Sequence, residues 1–133
     1  MVNILIVTHG DFGKELKNSA KLIVGDVSNI ESISYDIGDN FKSLVAEVEK
    51  KIKRMSNNSE LMVFTDMYGG SPFNAVTRFM NKYDFDHVTG VNFPLFLDIA
   101  LNRNAMNLDE IEKNIINDGK KSIVFVNENL GIS

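Results

Sequence analysis

His9 is the residue of this chain whose type and position are best suited to chemistry. It follows the apolar run Ile4-Leu5-Ile6-Val7 after one threonine, and Gly10 comes next. Such a run is typical of a buried parallel strand, and ligands of α/β proteins bind at the carboxyl ends of strands. An imidazole, with an unperturbed pKa of about 6.5, can act as a nucleophile or base near neutral pH. A purely structural loop histidine is the competing interpretation.

Asp66 is positioned to orient this imidazole. It follows a second apolar run, residues 61–65, so it also lies at the carboxyl end of a predicted strand. If the two strands are neighbours, a hydrogen bond from one ring nitrogen of His9 to the carboxylate fixes the tautomer and leaves the other nitrogen free to attack. Aspartates in turns also bind local N–H groups, so a structural role for Asp66 stays open.

The segment Gly69-Gly70-Ser71-Pro72 predicts an anion site beside these two residues. Ser71 is a favourable N-cap and Pro72 a favourable first residue, which predicts a helix that begins here. The free N–H groups and the dipole of a helix N-terminus favour an anion. A nucleophilic histidine, an orienting acid and an anion site together suit the acceptance of a phosphoryl group. The two glycines taken alone favour a simple tight turn.

Four large apolar residues lie in or beside these loops, where we expect exposure to solvent: Phe12, Met67, Tyr68 and Phe93. Exposed apolar groups of this size often mark a contact surface for another protein. We call these four residues the docking rim.

The composition is that of one ordinary domain over residues 1–133, with 44% hydrophobic residues and a net charge of −4. The charge argues against nucleic-acid binding, because no basic face is available to contact phosphates. The lack of cysteine removes disulfides and thiolate metal sites and fits a cytoplasmic protein. No apolar run reaches the roughly 18 residues of a membrane span, and no carboxylate cluster suits a metal. We therefore expect no metal and no cofactor.

Apolar periodicity predicts alternating strands and helices. Strands are predicted over residues 3–8, 30–35, 61–65 and 87–92. Helices are predicted over residues 12–24 and 95–102, and after caps at Asn40, Ser71 and Asn107. We expect Ile23 and Met80 to face inward and Gly119 to end the last long helix. This order predicts a doubly wound α/β fold, with a mainly parallel sheet of four strands flanked by helices.

The β-branched run at residues 122–126 predicts a fifth strand close to the C-terminus. A terminal strand of this kind can add to an edge of its own sheet or to the sheet of a second copy.

Three segments resemble the IIA domains of the mannose family (mannose, fructose and sorbose) of the bacterial phosphoenolpyruvate-dependent sugar phosphotransferase system. They are Val7-Thr8-His9-Gly10, then Phe64-Thr65-Asp66-Met67-Tyr68-Gly69-Gly70-Ser71-Pro72-Phe73-Asn74, and Gly90-Val91-Asn92-Phe93-Pro94-Leu95. They occur in the family's order and spacing. Family loops often carry tryptophan at the position of Tyr68, and tyrosine keeps the aromatic contact.

The resemblance implies a phosphotransferase component that carries a phosphoryl group on histidine. His9 would be phosphorylated on Nε2 by the phosphocarrier protein HPr, Asp66 would hold Nδ1, and Gly10, Gly70 and Ser71 would bind the phosphoryl group. The group would pass to a IIB protein and then to a sugar entering through a IIC/IID permease. The chain would be a separate cytoplasmic IIA protein, transiently at the membrane through that complex, and a homodimer that exchanges its last strand.

Three other functions fit parts of the pattern. The same site could belong to a regulatory module that keeps its phosphoryl group and binds a transcription regulator. It could belong to the phosphotransferase subunit of dihydroxyacetone kinase, although the segment from Gly69 to Asn74 favours the sugar-transport family. A histidine-dependent phosphohydrolase would have arginine in place of Thr8 and would clamp phosphate with further arginines, of which this chain has few.

Overall fold

The fold is built on a parallel sheet whose strands alternate with helices. A computed structural model describes residues 1–132, and within that range no helix has the length and apolarity needed to cross a membrane. The described chain has four strands and six helices, which in chain order are β1 Asn3–His9, α1 Phe12–Val24, β2 Ile30–Tyr35, α2 Phe41–Met55, β3 Leu61–Thr65, α3 Ser71–Thr77, β4 Asp86–Thr89, α4 Phe93–Asn102, α5 Leu108–Lys120 and α6 Val126–Asn129.

The strand order is β2-β1-β3-β4, and every neighbouring pair is parallel. The chain runs from β1 outward to β2 and then crosses to β3 on the other side of β1. This reversal makes the boundary between β1 and β3 the switch point of the sheet, where a crevice opens at the carboxyl ends of the strands. The prediction of an α/β fold with four parallel strands and flanking helices is confirmed.

Two apolar cores cover the two faces of the sheet. One packs α1, α4 and α5 against the face that carries Ile4 and Ile6, and the other packs α2 and α3 against the face that carries Leu5 and Val7. Because side chains alternate along a strand, Thr8 faces α1 and His9 lies on the side of α2 and α3. The alternation therefore decides which helices surround the predicted nucleophile.

Asparagine side chains begin three of the helices, as the sequence predicts for two of them. Asn40 Oδ1 accepts hydrogen bonds from the N–H groups of Lys42 and Ser43, and Asn107 forms a capping box with Glu110. Asn92 Oδ1 accepts from Leu95 N–H and so begins α4 at Phe93, two residues before the predicted start. Asn92 also donates to Ser122 Oγ at 3.0 Å, which ties the start of α4 to the chain after α5.

The predicted cap and inward residues of α3 are wrong in detail. The helix begins at Ser71 itself, with Gly70 as the N-cap, and it ends at Thr77. Beyond that point Phe79 N–H binds Val76 O and Met80 N–H binds Thr77 O, which are tighter i→i−3 turns. The changed periodicity buries Phe79 and leaves Met80 exposed, against the prediction for Met80.

Two further boundaries and the burial of one residue differ from the prediction. β4 covers residues 86–89 rather than 87–92, because Gly90 leaves the extended conformation with a φ of 76°. Gly119 lies inside α5, which continues to Lys120, and it packs so closely on Leu95 that a Cβ there would lie 2.7 Å from Leu95 Cδ1. Ile23 is exposed, since the inward residues of α1 are Gly13, Leu16 and Ala20.

The predicted fifth strand is absent from the described chain. Residues 122–125 have no regular structure, and residues 126–129 form α6. A strand satisfies its N–H and C=O groups only beside another strand. Here the backbone instead closes local bonds, from Asn129 N–H to Phe125 O and from Leu130 N–H to Val126 O. The apolar side chains of this tail remain exposed, namely Ile123, Val124, Phe125, Val126, Leu130 and Ile132.

A close helix–strand contact positions the end of β1. Gly13 lies so near the strand that a Cβ there would lie 2.8 Å from Ile6 Cγ2. Its N–H group donates to Thr8 Oγ1 at 2.8 Å. The absence of a side chain at Gly13 thus brings the first turn of α1 against the residue that precedes His9.

Candidate functional site

His9 is the last residue of β1, and its side chain is about half exposed, at 47%. Gly10 turns the chain away from the sheet with a φ of 53°, in the left-handed region that favours glycine. Its N–H group donates to Tyr35 O at 2.9 Å, at the end of the adjacent β2. The imidazole therefore stands at the carboxyl edge of the sheet on a fixed backbone.

Asp66 and His9 make the hydrogen bond that neighbouring strands allow. His9 Nδ1 lies 2.8 Å from Asp66 Oδ2, and the N–H group of His9 donates to the same oxygen at 3.0 Å. Met67 N–H donates to Asp66 Oδ1 at 3.1 Å. The carboxylate thus binds local N–H groups and the imidazole at once, so the two interpretations of Asp66 are compatible.

This geometry selects one tautomer of His9. A carboxylate can only accept, so Nδ1 carries the proton and donates it to Asp66. Nε2 then keeps its lone pair and is the ring nitrogen available for attack. The side chain of Asp66 is only 15% exposed, so solvent competes weakly for its oxygens.

The loop between β3 and α3 lies against the imidazole. A Cβ added to Gly70 would lie 3.0 Å from His9 Cε1, so only glycine allows this approach without displacement. Gly69 has a φ of 81°, and its carbonyl accepts from Asn74 Nδ2 at 3.3 Å. Ser71 follows as the first, half-buried residue of α3. The structure therefore brings Gly10, Gly70 and Ser71 to the surroundings of His9, and their role in binding phosphate stays a prediction.

Three of the four residues of the docking rim are exposed: Phe12, Met67 and Tyr68. The ring of Tyr68 also stacks on Phe73, with 4.6 Å between centroids. Phe93 differs, because it is half-buried and packs against the core under α1 and α4. Its apolar surface is therefore largely used within the chain.

The sequence interpretation missed the loop after β2. A cavity of about 390 Å³ opens beside the imidazole and is lined by His9, Gly10, Tyr35, Asp36 and Ile37. Ile37 is fully exposed, and the rings of Tyr35 and His9 meet edge to face at 6.4 Å. The sequence does carry a signal for this contact surface: Ile37 is an isoleucine between an aspartate and a glycine, in the loop after the predicted strand 30–35, where an apolar residue is exposed to solvent.

The arginines of the chain lie elsewhere. Arg54 binds Glu31 at 2.7 Å, and Arg78 lies over the ring of Phe41 at 5.1 Å. Arg103 is buried and donates to Asp26 O at 3.3 Å. A phosphohydrolase that clamps phosphate with arginines is therefore disfavoured. Within residues 1–132, no group of three or more histidine and carboxylate side chains could hold a metal ion.

His87, the second histidine, is half-buried on β4. Burial holds the pKa of its imidazole at about 4, because the charged ring would lose its hydration. Its Nε2 lies 2.8 Å from Thr65 Oγ1, and its ring stacks on Phe73 with 5.3 Å between centroids. The ring is neutral at pH 7, which fits a structural role for His87 within the sheet.

The lowered pKa of His87 predicts a loss of stability in acid. The unfolded chain takes up a proton on this residue below about pH 6.5, whereas the folded chain does so only near pH 4. The free energy of unfolding should therefore fall as the pH is lowered from about 7 to about 4. Urea unfolding of wild type and of His87→Gln between about pH 7 and about pH 4 measures this change in the free energy of unfolding. Wild type should lose more of its free energy of unfolding towards acid pH than the variant, which has no titrating group at this position, and equal pH dependences would contradict the neutral state of His87 in the folded protein.

Comparison with known proteins places the chain among components of one transport system. The family model described as PTS system fructose IIA component (EIIA-man) matches residues 3–116. The chain is 27% identical over 131 residues to the PTS system fructose-specific EIIA component of Bacillus subtilis, covering 98% of this chain and 90% of that protein.

A longer relative and a solved structure agree with this match. The chain is 25% identical over 124 residues to the PTS system mannose-specific EIIAB component of Escherichia coli, covering 92% of this chain and 38% of that protein's length. It superposes with a TM-score of 0.85 and 28% identity on the PTS IIA protein associated with the fucose utilization operon of Streptococcus pneumoniae, covering 97% and 96% of the two chains.

Proposed function

The chain belongs to the mannose-type IIA components of the sugar phosphotransferase system, and from this premise we propose that it carries a phosphoryl group on His9 Nε2 from HPr to a IIB protein during sugar uptake. The observation that carries the proposal is the hydrogen bond of 2.8 Å from His9 Nδ1 to Asp66 Oδ2. It directs the lone pair of the imidazole to Nε2, on a ring that remains about half exposed.

The transfer is an in-line displacement between two histidines. His9 Nε2 attacks phosphorus, the new N–P bond forms, and the N–P bond of the donor histidine breaks and leaves its electron pair on that ring. The imidazole of His9 becomes positively charged, and the Asp66 carboxylate at Nδ1 stabilises that charge. The reaction is accelerated by the positioning of the two imidazoles and by stabilisation of the charge that develops, and it needs no strong base.

The loop after β3 provides the proposed phosphoryl site. A Cβ added to Gly70 would lie 3.0 Å from His9 Cε1, the atom between the two ring nitrogens, so the backbone of Gly70 lies beside the imidazole. The free N–H groups at the start of α3 and the hydroxyl of Ser71 can donate to phosphoryl oxygens. Asp66 bonds the imidazole of His9, Asp36 lines the cavity beside it, and Asp11 follows two residues after His9, so these three carboxylates add negative charge to its surroundings. A partner that docks there should therefore supply the positive charge for transfer.

Partners would dock on the surface around His9. Phe12, Met67 and Tyr68 of the docking rim and Ile37 of the loop after β2 offer exposed apolar area there. One surface must serve both HPr and the IIB protein in turn, because both act on the same nitrogen. Docking is therefore transient, and the permease is reached only through the IIB protein.

The C-terminal tail supports a homodimer with exchanged strands. Its apolar side chains are exposed in the single chain, and exposed apolar surface of this extent marks a contact site. Residues 122–126 have the β-branched composition of a strand. Beside the sheet of a second copy they would gain the backbone hydrogen bonds that they lack alone.

We expect His9→Ala to abolish phosphorylation in a mixture of phosphoenolpyruvate, enzyme I and HPr, because the attacking nitrogen is lost. Mass spectrometry of the intact protein detects the added phosphoryl group. His87→Gln is the matched control and should still be labelled. Undiminished labelling of His9→Ala would falsify the assignment. If wild type is phosphorylated but passes the phosphoryl group to no candidate IIB protein, the regulatory module is favoured.

Asp66→Ala should remain folded and accept the phosphoryl group at least about tenfold more slowly, which corresponds to about 1.4 kcal/mol of barrier. The imidazole then loses both its orientation and the carboxylate that stabilises its charge. Rapid-quench kinetics with phosphorylated HPr measures the rate, and circular dichroism monitors the fold. Equal rates for variant and wild type would remove Asp66 from the mechanism.

Removal of residues 123–133 should shift the protein towards monomer, because the exposed apolar tail is lost. This deletion keeps Ser122, whose hydroxyl accepts from Asn92. Sedimentation velocity over a range of concentrations gives the oligomeric state. A shorter deletion of residues 131–133 is the control and should behave as wild type. A dimer that survives the longer deletion refutes strand exchange.

A further inference from the structure

A partly buried hydrogen-bond network joins β3 and β4 where the strands end. His87 Nε2 lies 2.8 Å from Thr65 Oγ1, and Thr65 Oγ1 donates to Thr89 Oγ1 at 2.8 Å. A hydroxyl has one proton, so Thr65 accepts from His87 when it donates to Thr89. His87 therefore carries its proton on Nε2. We call these three residues the Thr65–His87–Thr89 network.

The network lies directly behind the site. Thr65 is fully buried, is the last residue of β3 and precedes Asp66. Along β3, Leu61 and Val63 pack under α2 and α3, and alternation places Thr65 on that same face, as it does His9 on β1. The backbone ladder between β3 and β4 ends with the pair Thr65 and Thr89. The side-chain bonds reinforce the cross-link at the point where that ladder stops.

An aromatic stack extends the network to the loop beside His9. The ring of His87 stacks on Phe73 of α3, and Phe73 stacks on Tyr68, with centroid distances of 5.3 and 4.6 Å. The segment that connects Thr65 to Phe73 contains Asp66, which bonds the imidazole of His9, and Gly70, which lies against it. The network and the stack therefore hold both ends of that segment.

We infer that Thr65 and His87 are positioning residues, which hold the Asp66 carboxylate on His9 Nδ1 through the end of β3. The inference rests on the proposed function for its kinetic consequence, but the placement of Asp66 is a property of the free protein. A shift of about 1 Å in a reacting group can cost about a hundredfold in rate. Thr65 is the strand residue that immediately precedes Asp66, so a displacement of Thr65 is transmitted to the carboxylate directly.

Burial of these polar groups fits the assignment. The His87 imidazole, whose pKa burial lowers to about 4, is neutral at pH 7 and has one ring proton to donate. An apolar trio would fill the same space between the sheet and α3 without the cost of burying a ring nitrogen and two hydroxyls. Unlike apolar side chains, the side chains of the Thr65–His87–Thr89 network are held in fixed directions by their hydrogen bonds.

The experiment compares Thr65→Val, which keeps the shape and loses the hydroxyl, with Thr65→Ser, which keeps the hydroxyl. Thr77→Val, at an exposed threonine of α3, is the control. ¹⁵N NMR of the imidazole rings in the free proteins gives the fraction of His9 in the Nδ1–H tautomer, and rapid-quench kinetics gives phosphorylation by HPr. Thr65→Val should lower that fraction and slow phosphorylation about tenfold or more, whereas Thr65→Ser and Thr77→Val should stay within about twofold of wild type.

A second pair keeps the test decisive if Thr65→Val does not fold. His87→Phe retains the stack on Phe73 and loses the donor, and His87→Gln retains a donor at the position of Nε2. The inference predicts that the phenylalanine variant loses the His9 tautomer preference and that the glutamine variant restores it. An unchanged tautomer in folded Thr65→Val or His87→Phe overturns the inference. If wild type keeps the tautomer but accepts no phosphoryl group from HPr, the proposed function fails and the positioning role stands.

Discussion

The hydrogen bond between His9 Nδ1 and Asp66 Oδ2 is the interaction on which the site depends. It exists because β1 and β3 are adjacent and parallel although α1, β2 and α2 separate them in the chain. The crossover from β2 back to β3 places the two carboxyl ends side by side and sends α1 and α2 to opposite faces. The crevice at this switch point therefore holds a base and an acid that lie 57 positions apart.

Local patterns predicted the elements that carry this site. The runs before His9 and Asp66 read as buried strands because they are apolar on both faces, and Asn40 and Asn107 mark helix starts by the capping chemistry that the structure shows. The same reasoning failed at Ser71, where glycine holds the cap position. Gly70 is there because the imidazole of His9 leaves no room for a side chain, and that constraint comes from a strand distant in sequence.

Contacts that depend on register or on a second chain were beyond the sequence. The Thr65–His87–Thr89 network needs the pairing of Val63 with His87, which no property of either strand specifies alone. The tail illustrates the other limit. Its β-branched residues favour a strand, yet residues 122–125 have no strand beside them in the described chain, and the backbone turns into α6 instead. A propensity becomes a structure only where a partner supplies the hydrogen bonds.

The two histidines lie on the same face of the sheet but carry their ring proton on different nitrogens. His9 stands at the end of its strand, where the Asp66 carboxylate accepts a hydrogen bond from Nδ1–H, so that Nε2 keeps its lone pair in a half-exposed ring. His87 lies inside β4, where a hydroxyl that already donates elsewhere requires a proton on Nε2. The hydrogen-bond partner thus selects the tautomer, and the tautomer decides whether Nε2 has a lone pair, as the proposed nucleophile needs, or a proton to donate.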